Sequence, residues 1–161
     1  MAIKIIAPER ETFELTESDK KYNDSGSEAT TVTIIQATVR QNAERSRLFQ
    51  EYIKEVHPEG EDRMIFKLPI YDLVLKEIYL TLVDSNLEDG ERSLFSFKQT
   101  LQGSILNMDW KQFYTAAGKL TDDVLNEIHD KVLKVNPHWL FSIGPEGSDL
   151  GEGSSEANSN S

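Results

Sequence analysis

The sequence predicts a mainly helical α+β protein, in which a small N-terminal antiparallel β ribbon is followed by a bundle of about five helices and a disordered C-terminal tail. Three observations lead to this prediction. β-branched residues concentrate in the first 36 positions. From about Thr38 onward, apolar residues recur at the spacing of an amphipathic helix. After Ile143 the chain turns to glycine, serine and acidic residues, which cannot bury enough surface to offset their chain entropy.

These changes in composition divide the chain into a folded domain and a tail. With 161 residues, the chain is long enough to bury a substantial core as one domain. The predicted parts are a single folded domain over 1–143, made of a β ribbon (1–36) and a helical part (37–143), and a disordered, acidic, Gly/Ser-rich tail over 144–161.

Three short β-leaning stretches predict the strands of the ribbon. They lie at residues 3–6, 12–15 and 31–36. Residues 16–30 are polar and have almost nothing to bury, so they are expected to form a mobile loop. A ribbon of this size needs a helix to cover one of its faces.

Three helices are predicted in the middle of the chain. The first covers about 38–56, with apolar residues on one face and arginines and glutamates on the other. The second begins with Pro69 at its first position and is apolar around most of its circumference, which predicts the central core helix. A third is predicted over 94–105 from its apolar spacing, although Gly103 costs about 1 kcal/mol there.

Two further helices have both of their ends marked in the sequence. Asp109 is predicted to cap the first, with Gln112 as its reciprocal partner, and Gly118 to end it. Thr121 is predicted to cap the second with its hydroxyl, and Pro137 to close it. The apolar stripe of the second helix predicts its buried face: Val124, Leu125, Ile128, Val132 and Val135.

Composition and spacing give no support to catalysis or to metal binding. The chain has no cysteine, and its three histidines are not spaced as zinc ligands. Residues 84–90 resemble the start of a calcium loop, but Phe95 stands where that loop needs a glutamate, so a helix–helix turn is preferred. We therefore expect a non-catalytic protein without a cofactor or a metal.

The charge of the chain argues against nucleic acid as a partner. Its 17 basic and 28 acidic residues give a net charge of −11, which phosphate backbones repel. Arg40, Arg45 and Arg47 alternate with glutamates, which is typical of a solvated helix face. No apolar run is long enough to cross a membrane.

A few residues are candidates for contact with another protein. Trp139, Leu140 and Phe141 follow the last helix, where they either lock the end of the domain onto the core or form an interface. The same two alternatives apply to Trp110. Arg40 and Arg47 complete the predicted partner-binding set.

Two stretches of the chain resemble a known protein family. The first contains Phe113, then Ala-Gly-Lys-Leu at 117–120, Val124, Ile128 and Val132, and ends in Val-Asn-Pro-His-Trp at 135–139. The second, residues 31–51, joins a β-rich run to a helix rich in arginine and glutamate. Together they resemble the tail assembly chaperones of long-tailed, siphovirus-like bacteriophages.

The resemblance implies a function in virus assembly. Proteins of that family bind the tape measure protein, keep its hydrophobic helices from aggregating and help to recruit the major tail protein. It further implies a protein of the host cytoplasm that is absent from the mature virion. Two alternatives stay open, namely an acidic adaptor or inhibitor of a host protein and a structural tail component. Self-association is open as well.

The predicted disorder of the tail leads to a first test. Deletion of residues 145–161 is expected to leave the melting temperature nearly unchanged, because this segment has almost no apolar surface to bury. Thermal unfolding followed by circular dichroism measures this, and a large fall in melting temperature would show that the tail docks on the domain.

Overall fold

The computed structural model describes residues 2–24, 26–56 and 70–141, and all of their side chains except those of 52–56 and 141. The α+β class, the N-terminal antiparallel ribbon and the number of helices are confirmed. Pro69 and the tail at 144–161 lie outside the described residues. In chain order the elements are β1 (Arg10–Glu14), α1 (Thr16–Tyr22), β2 (Thr31–Ile35), α2 (Val39–Val56), α3 (Ile70–Thr81), β3 (Leu82–Ser85), β4 (Glu88–Asp89), β5 (Arg92–Ser93), β6 (Phe97–Thr100), β7 (Gly103–Leu106), α4 (Trp110–Ala117), α5 (Asp122–Val135) and a 3-10 helix (Pro137–Phe141).

The ribbon is an antiparallel sheet in the order β1-β2-β3. Arg10 lies opposite Ile35 and Glu14 opposite Thr31, so β1 pairs with β2 along its whole length. The third strand is β3, which follows α3, and the strand predicted at residues 3–6 is wrong. Residues 2–9 have no regular secondary structure. β1 and β3 lie on the two sides of β2, and within the described ranges no strand lies beside this β-leaning segment.

The polar stretch at 16–30 was predicted as a loop, but it begins with helix α1. A carboxylate of α5 holds the start of this helix, because Glu127 accepts hydrogen bonds from the backbone N–H of Ser18 at 2.8 Å and of Glu17 at 3.2 Å. Burial alone would raise the pKa of Glu127, but these bonds and one from the Ser18 hydroxyl outweigh it, so the pKa is lowered. Because these contacts are polar, they produce no hydrophobic periodicity, and the sequence pattern did not predict α1.

The core lies between the sheet, α3 and α5. Ile128 and Val132 of α5 and Val32 and Ile34 of β2 are fully buried. The predicted stripe of α5 is confirmed, with Val135 only partly buried at its end. The prediction of α3 as a core helix is also confirmed by six buried residues: Leu73, Val74, Leu75, Glu77, Ile78 and Thr81.

The helix predicted over 94–105 is wrong, because β6 and β7 form a hairpin there. Phe97 pairs with Leu106 and Thr100 with Gly103. Gly103 has a φ of +115°, a conformation that glycine adopts without the steric cost of a side chain. Leu101 lies at the turn and is fully exposed. The helical spacing of the apolar residues was therefore accidental.

The segment at 84–90 is also not the helix–helix turn that we expected. It contains the end of β3 and the first strand of the small hairpin β4–β5. Gly90 lies in the turn of that hairpin with a φ of +67°, which favours glycine.

The capping predictions are confirmed at α4 and corrected at α5. Asp109 and Gln112 form the reciprocal capping box. Thr121 is the N-cap residue of α5, but its hydroxyl bonds to the Asp123 carboxylate and caps no backbone N–H. Asp123 also accepts a bond from Lys21 at 2.8 Å, which lowers its pKa. The first turn of α5 thus holds α1 as well.

The burial of Ile128 leads to a second test. Ile128→Asp is expected to reduce the free energy of unfolding by more than about 3 kcal/mol, because it removes core packing and buries a charge. Urea unfolding measures this change. Asn126→Asp is the control, because Asn126 is exposed on the same helix. Equal effects of the two substitutions would contradict the assignment of Ile128 to the core.

Candidate partner-binding surface

An aromatic cluster forms where α3 packs against α4. The Tyr79 ring lies 5.4 Å from Trp110 and 5.3 Å from Phe113, measured between ring centroids. Trp110 also makes an edge-to-face contact with Tyr114 at 5.5 Å. The cluster therefore runs from the buried Phe113 to the exposed Tyr114.

Polar groups fix the orientation of these rings. The Tyr79 hydroxyl donates to the carbonyl oxygen of Met108 at 3.1 Å, and the Tyr114 hydroxyl donates to Asp72 at 3.0 Å. The Lys76 ammonium lies 4.6 Å from the centroid of Trp110, within the range of a cation–π interaction. The rings are thus held in place, which lowers the entropy cost of binding another molecule.

Exposed side chains lie near this cluster. Tyr114 of α4 is 44% exposed, and its hydroxyl donates to Asp72 in the first turn of α3. Ile70 and Tyr71 in the same turn are 54% and 49% exposed, but Tyr71 bonds to Asp122 of α5 and thus faces a different neighbour. We define the aromatic surface by its residues Asp72, Lys76, Trp110 and Tyr114.

Two tyrosines near this end of α3 donate hydrogen bonds to carboxylates. The bond to Asp122 raises the pKa of Tyr71, and the bond to Asp72 raises the pKa of Tyr114. Both tyrosines therefore remain neutral donors at physiological pH. The exposed Tyr114 and the partly buried Trp110 can bind an apolar partner face, and the Asp72 carboxylate favours positive charge on that partner.

The structure resolves the two alternatives for Trp139 in favour of the core. Trp139 is 1% exposed, and its indole N–H donates to Asn42 at 2.7 Å. Leu140, in contrast, is 48% exposed. The side chain of Phe141 lies outside the described residues. Of the three aromatic and aliphatic candidates at this end, only Leu140 is thus available at the surface among the described side chains.

The three arginines of α2 differ in their surroundings. Arg40 is exposed, and Arg47 forms an exposed ion pair with Glu44 at 3.1 Å. Arg45, which was predicted to lie on the solvated face, is buried. A carboxylate of α3 binds the Arg45 guanidinium. The sequence did not predict this ion pair.

That carboxylate belongs to Glu77, which is 1% exposed and has two partners. Arg45 donates to one of its oxygens at 2.5 Å, and His129 Nε2 lies 2.6 Å from the other. The Arg45 guanidinium also lies 5.1 Å from the Trp139 ring and donates to the Trp139 carbonyl oxygen at 3.3 Å. Four elements, α2, α3, α5 and the 3-10 helix, therefore meet at one buried charge.

Sequence analysis identified Trp110 but missed Ile70 and Tyr71 as surface residues. Helix α3 was expected to be buried around most of its circumference, so the exposure of its first turn was not predicted. Among the described residues, no group of three or more His, Asp or Glu side chains is arranged to hold a metal ion. In the same part of the chain, no helix combines the length and the hydropathy that a bilayer span requires.

Comparisons with protein-family models, with curated proteins and with solved structures find no match to this chain. The geometry of the described residues and the resemblance noted from the sequence are therefore the basis for any functional assignment.

The buried Glu77 leads to a third test. Glu77→Gln is expected to reduce the free energy of unfolding by about 3–5 kcal/mol, because it removes the charge of one member of a buried ion pair. Glu44→Gln is the matched control, since Glu44 forms an exposed pair that contributes about 1 kcal/mol at most. Equal losses in urea unfolding would show that the buried pair does not organise the fold.

Proposed function

We propose that this protein is a tail assembly chaperone of a long-tailed bacteriophage, which binds the tape measure protein and assists assembly of the tail tube without catalysing a reaction. The observation that carries the proposal is the aromatic surface, which α3 forms together with α4, the helix that contains the first part of the family-like motif. The motif indicates the family, and the aromatic surface is the proposed binding site for the partner.

The motif residues and the proposed binding residues have different locations. Most of the motif residues are buried: Phe113, Ala117, Val124, Ile128, Val132, Asn136 and Trp139. The resemblance therefore concerns the core that α4 and α5 build. Trp110 and Tyr114 lie at the surface end of the same aromatic cluster, where the core residues hold them.

The chemistry of the aromatic surface suits an amphipathic helix. Tyr and Trp are enriched among residues that dominate binding energies. Here Tyr114 is oriented by its hydrogen bond to Asp72, and Trp110 by its contacts with Tyr79 and Lys76. A partner helix would lay its apolar face on Trp110 and Tyr114, and its basic residues would face Asp72. The net charge of −11 favours such basic partners and keeps the loaded chaperone soluble.

The proposal includes a place in the cell and two named partners. We place the protein in the host cytoplasm during assembly, bound to the tape measure protein and in contact with the major tail protein, and absent from the mature virion. No nucleic acid and no membrane takes part.

Affinity purification from infected cells tests this proposal. The chain is expected to co-purify with a very long, helix-rich tape measure protein and to be absent from purified virions. Its presence in virions in stoichiometric amounts would instead identify a structural tail component. Specific capture of a host protein in cells without phage tail genes would identify an adaptor or inhibitor.

Substitutions in the aromatic surface test where the tape measure protein binds. Tyr114→Ser is expected to weaken this complex by about tenfold or more, because buried aromatic contacts dominate interfaces. Val39→Ser is the matched control, since Val39 is 85% exposed at the start of α2. Isothermal titration measures both, and equal affinities would place the binding site elsewhere.

A further inference from the structure

Residues 2–8, which we call the isoleucine segment, combine strand-forming composition with full exposure. Ile3 is 97% exposed, Ile5 102% and Ile6 83%. The segment leads directly into β1, which begins at Arg10. Three adjacent β-branched apolar side chains in water are unusual, because burying each of them is favourable.

The outer edge of β1 has a defined set of backbone groups available. The carbonyl of Glu9 accepts from the N–H of Gln36, and the N–H of Leu15 donates to the carbonyl of Thr30. Odd-numbered residues of β1 thus direct their backbone groups toward β2. Arg10, Thr12 and Glu14 therefore direct theirs to the opposite side, and their side chains are exposed.

A half-buried ring lies beside this edge. Phe13 packs partly against the core, with the Lys131 ammonium 5.8 Å from its ring centroid. Side chains alternate between the two faces of a strand, so Ile3 and Ile5 would share the face of Phe13 if the strand continued into the isoleucine segment.

From these observations we infer that the isoleucine segment pairs as a β-strand with the outer edge of β1 in a second copy of this chain. The exchange is reciprocal, and a two-fold axis joins the two three-stranded sheets into one six-stranded antiparallel sheet. Each copy then buries Ile3 and Ile5 on the Phe13 face of the sheet and occupies the outer edge of β1 in the other, while Ile6 lies on the opposite face.

The charges, and the side to which each residue directs its backbone groups, determine the register of this pairing. In a continuous strand, Lys4 directs its backbone groups outward, so it can lie opposite Arg10, Thr12 or Glu14 of the second copy. Glu14 is the one that carries a complementary charge. This register places Ile5 opposite Phe13 of the second copy, a favourable β-branched–aromatic pair. Pro8, which has no N–H, then lies opposite Arg10 of the second copy and leaves one bond unmade in each copy. The two Glu9 residues lie opposite each other at the axis, a like-charge pair that opposes this register and that the two Lys4–Glu14 pairs outnumber.

The segment cannot reach the edge of its own β1 without strain. Because Glu9 already bonds to Gln36, a hairpin would have to turn at Ala7 and Pro8. The favoured two-residue hairpin turns have a positive φ at their first residue, which is sterically unfavourable for Ala7. A second copy provides the same edge without that turn.

Light scattering coupled to size exclusion tests the exchange on the full chain. The protein is expected to form a dimer at twice the monomer mass of 18.3 kDa. Ile3→Asp combined with Ile5→Asp is expected to weaken the dimer by about tenfold or more, because the buried isoleucines become charged. Leu101→Asp is the control, since Leu101 is 107% exposed in the β6–β7 turn, and it should leave the dimer intact.

Charge reversal tests the register. Lys4→Glu and Glu14→Lys should each weaken the dimer by about threefold or more, because the contact occurs twice, and the combined variant should restore it. A full chain that is monomeric at every soluble concentration would overturn the inference. A dimer that survives the double isoleucine substitution, or charge variants that do not rescue each other, would do the same. Binding of the tape measure protein is measured separately, so its failure leaves these results unaffected.

Discussion

The ion pair between Glu77 and Arg45, in contact with His129, is the constraint on which the arrangement of the helices depends. Transfer of a carboxylate from water to the interior costs several kcal/mol, which only close and well-placed partners offset. Glu77 lies on α3, Arg45 on α2 and His129 on α5, so these helices must adopt one mutual arrangement for the three side chains to meet. Because Arg45 also contacts Trp139, the same arrangement fixes the segment after α5.

Elements that are determined by nearby residues were predicted correctly from the sequence. The capping box of Asp109 and Gln112 spans four residues, and the stripe that includes Ile128 and Val132 lies within one helix. Elements that depend on contacts between distant residues were not predicted. The start of α1 is held by Glu127, which lies about 110 positions away. The hairpin over 97–106 was mistaken for a helix because its apolar residues happened to have helical spacing.

The candidate surface was predicted only in part, for the same reason. Trp110 was named, but its companion Tyr114 was not, because Tyr114 is held in place by Asp72, which lies 42 positions away on α3. Trp139 was left between two assignments, and only the positions of Asn42 and Arg45 decide that it is a core residue. The predicted strand at 3–6 has a strand composition, but no strand of the described residues lies beside it. Phe95, Phe113 and Trp139 are buried in the core, whereas Tyr114 is exposed.

The two tryptophans of the chain provide the most direct test of this division between core and surface. Each indole N–H gives one resonance in a ¹H–¹⁵N spectrum, and Trp110 and Trp139 can be assigned by substituting Trp110 with phenylalanine. On addition of the tape measure protein, the account predicts that the Trp110 resonance shifts or broadens while that of Trp139 stays in place. A response of Trp139 with an unchanged Trp110 would contradict it.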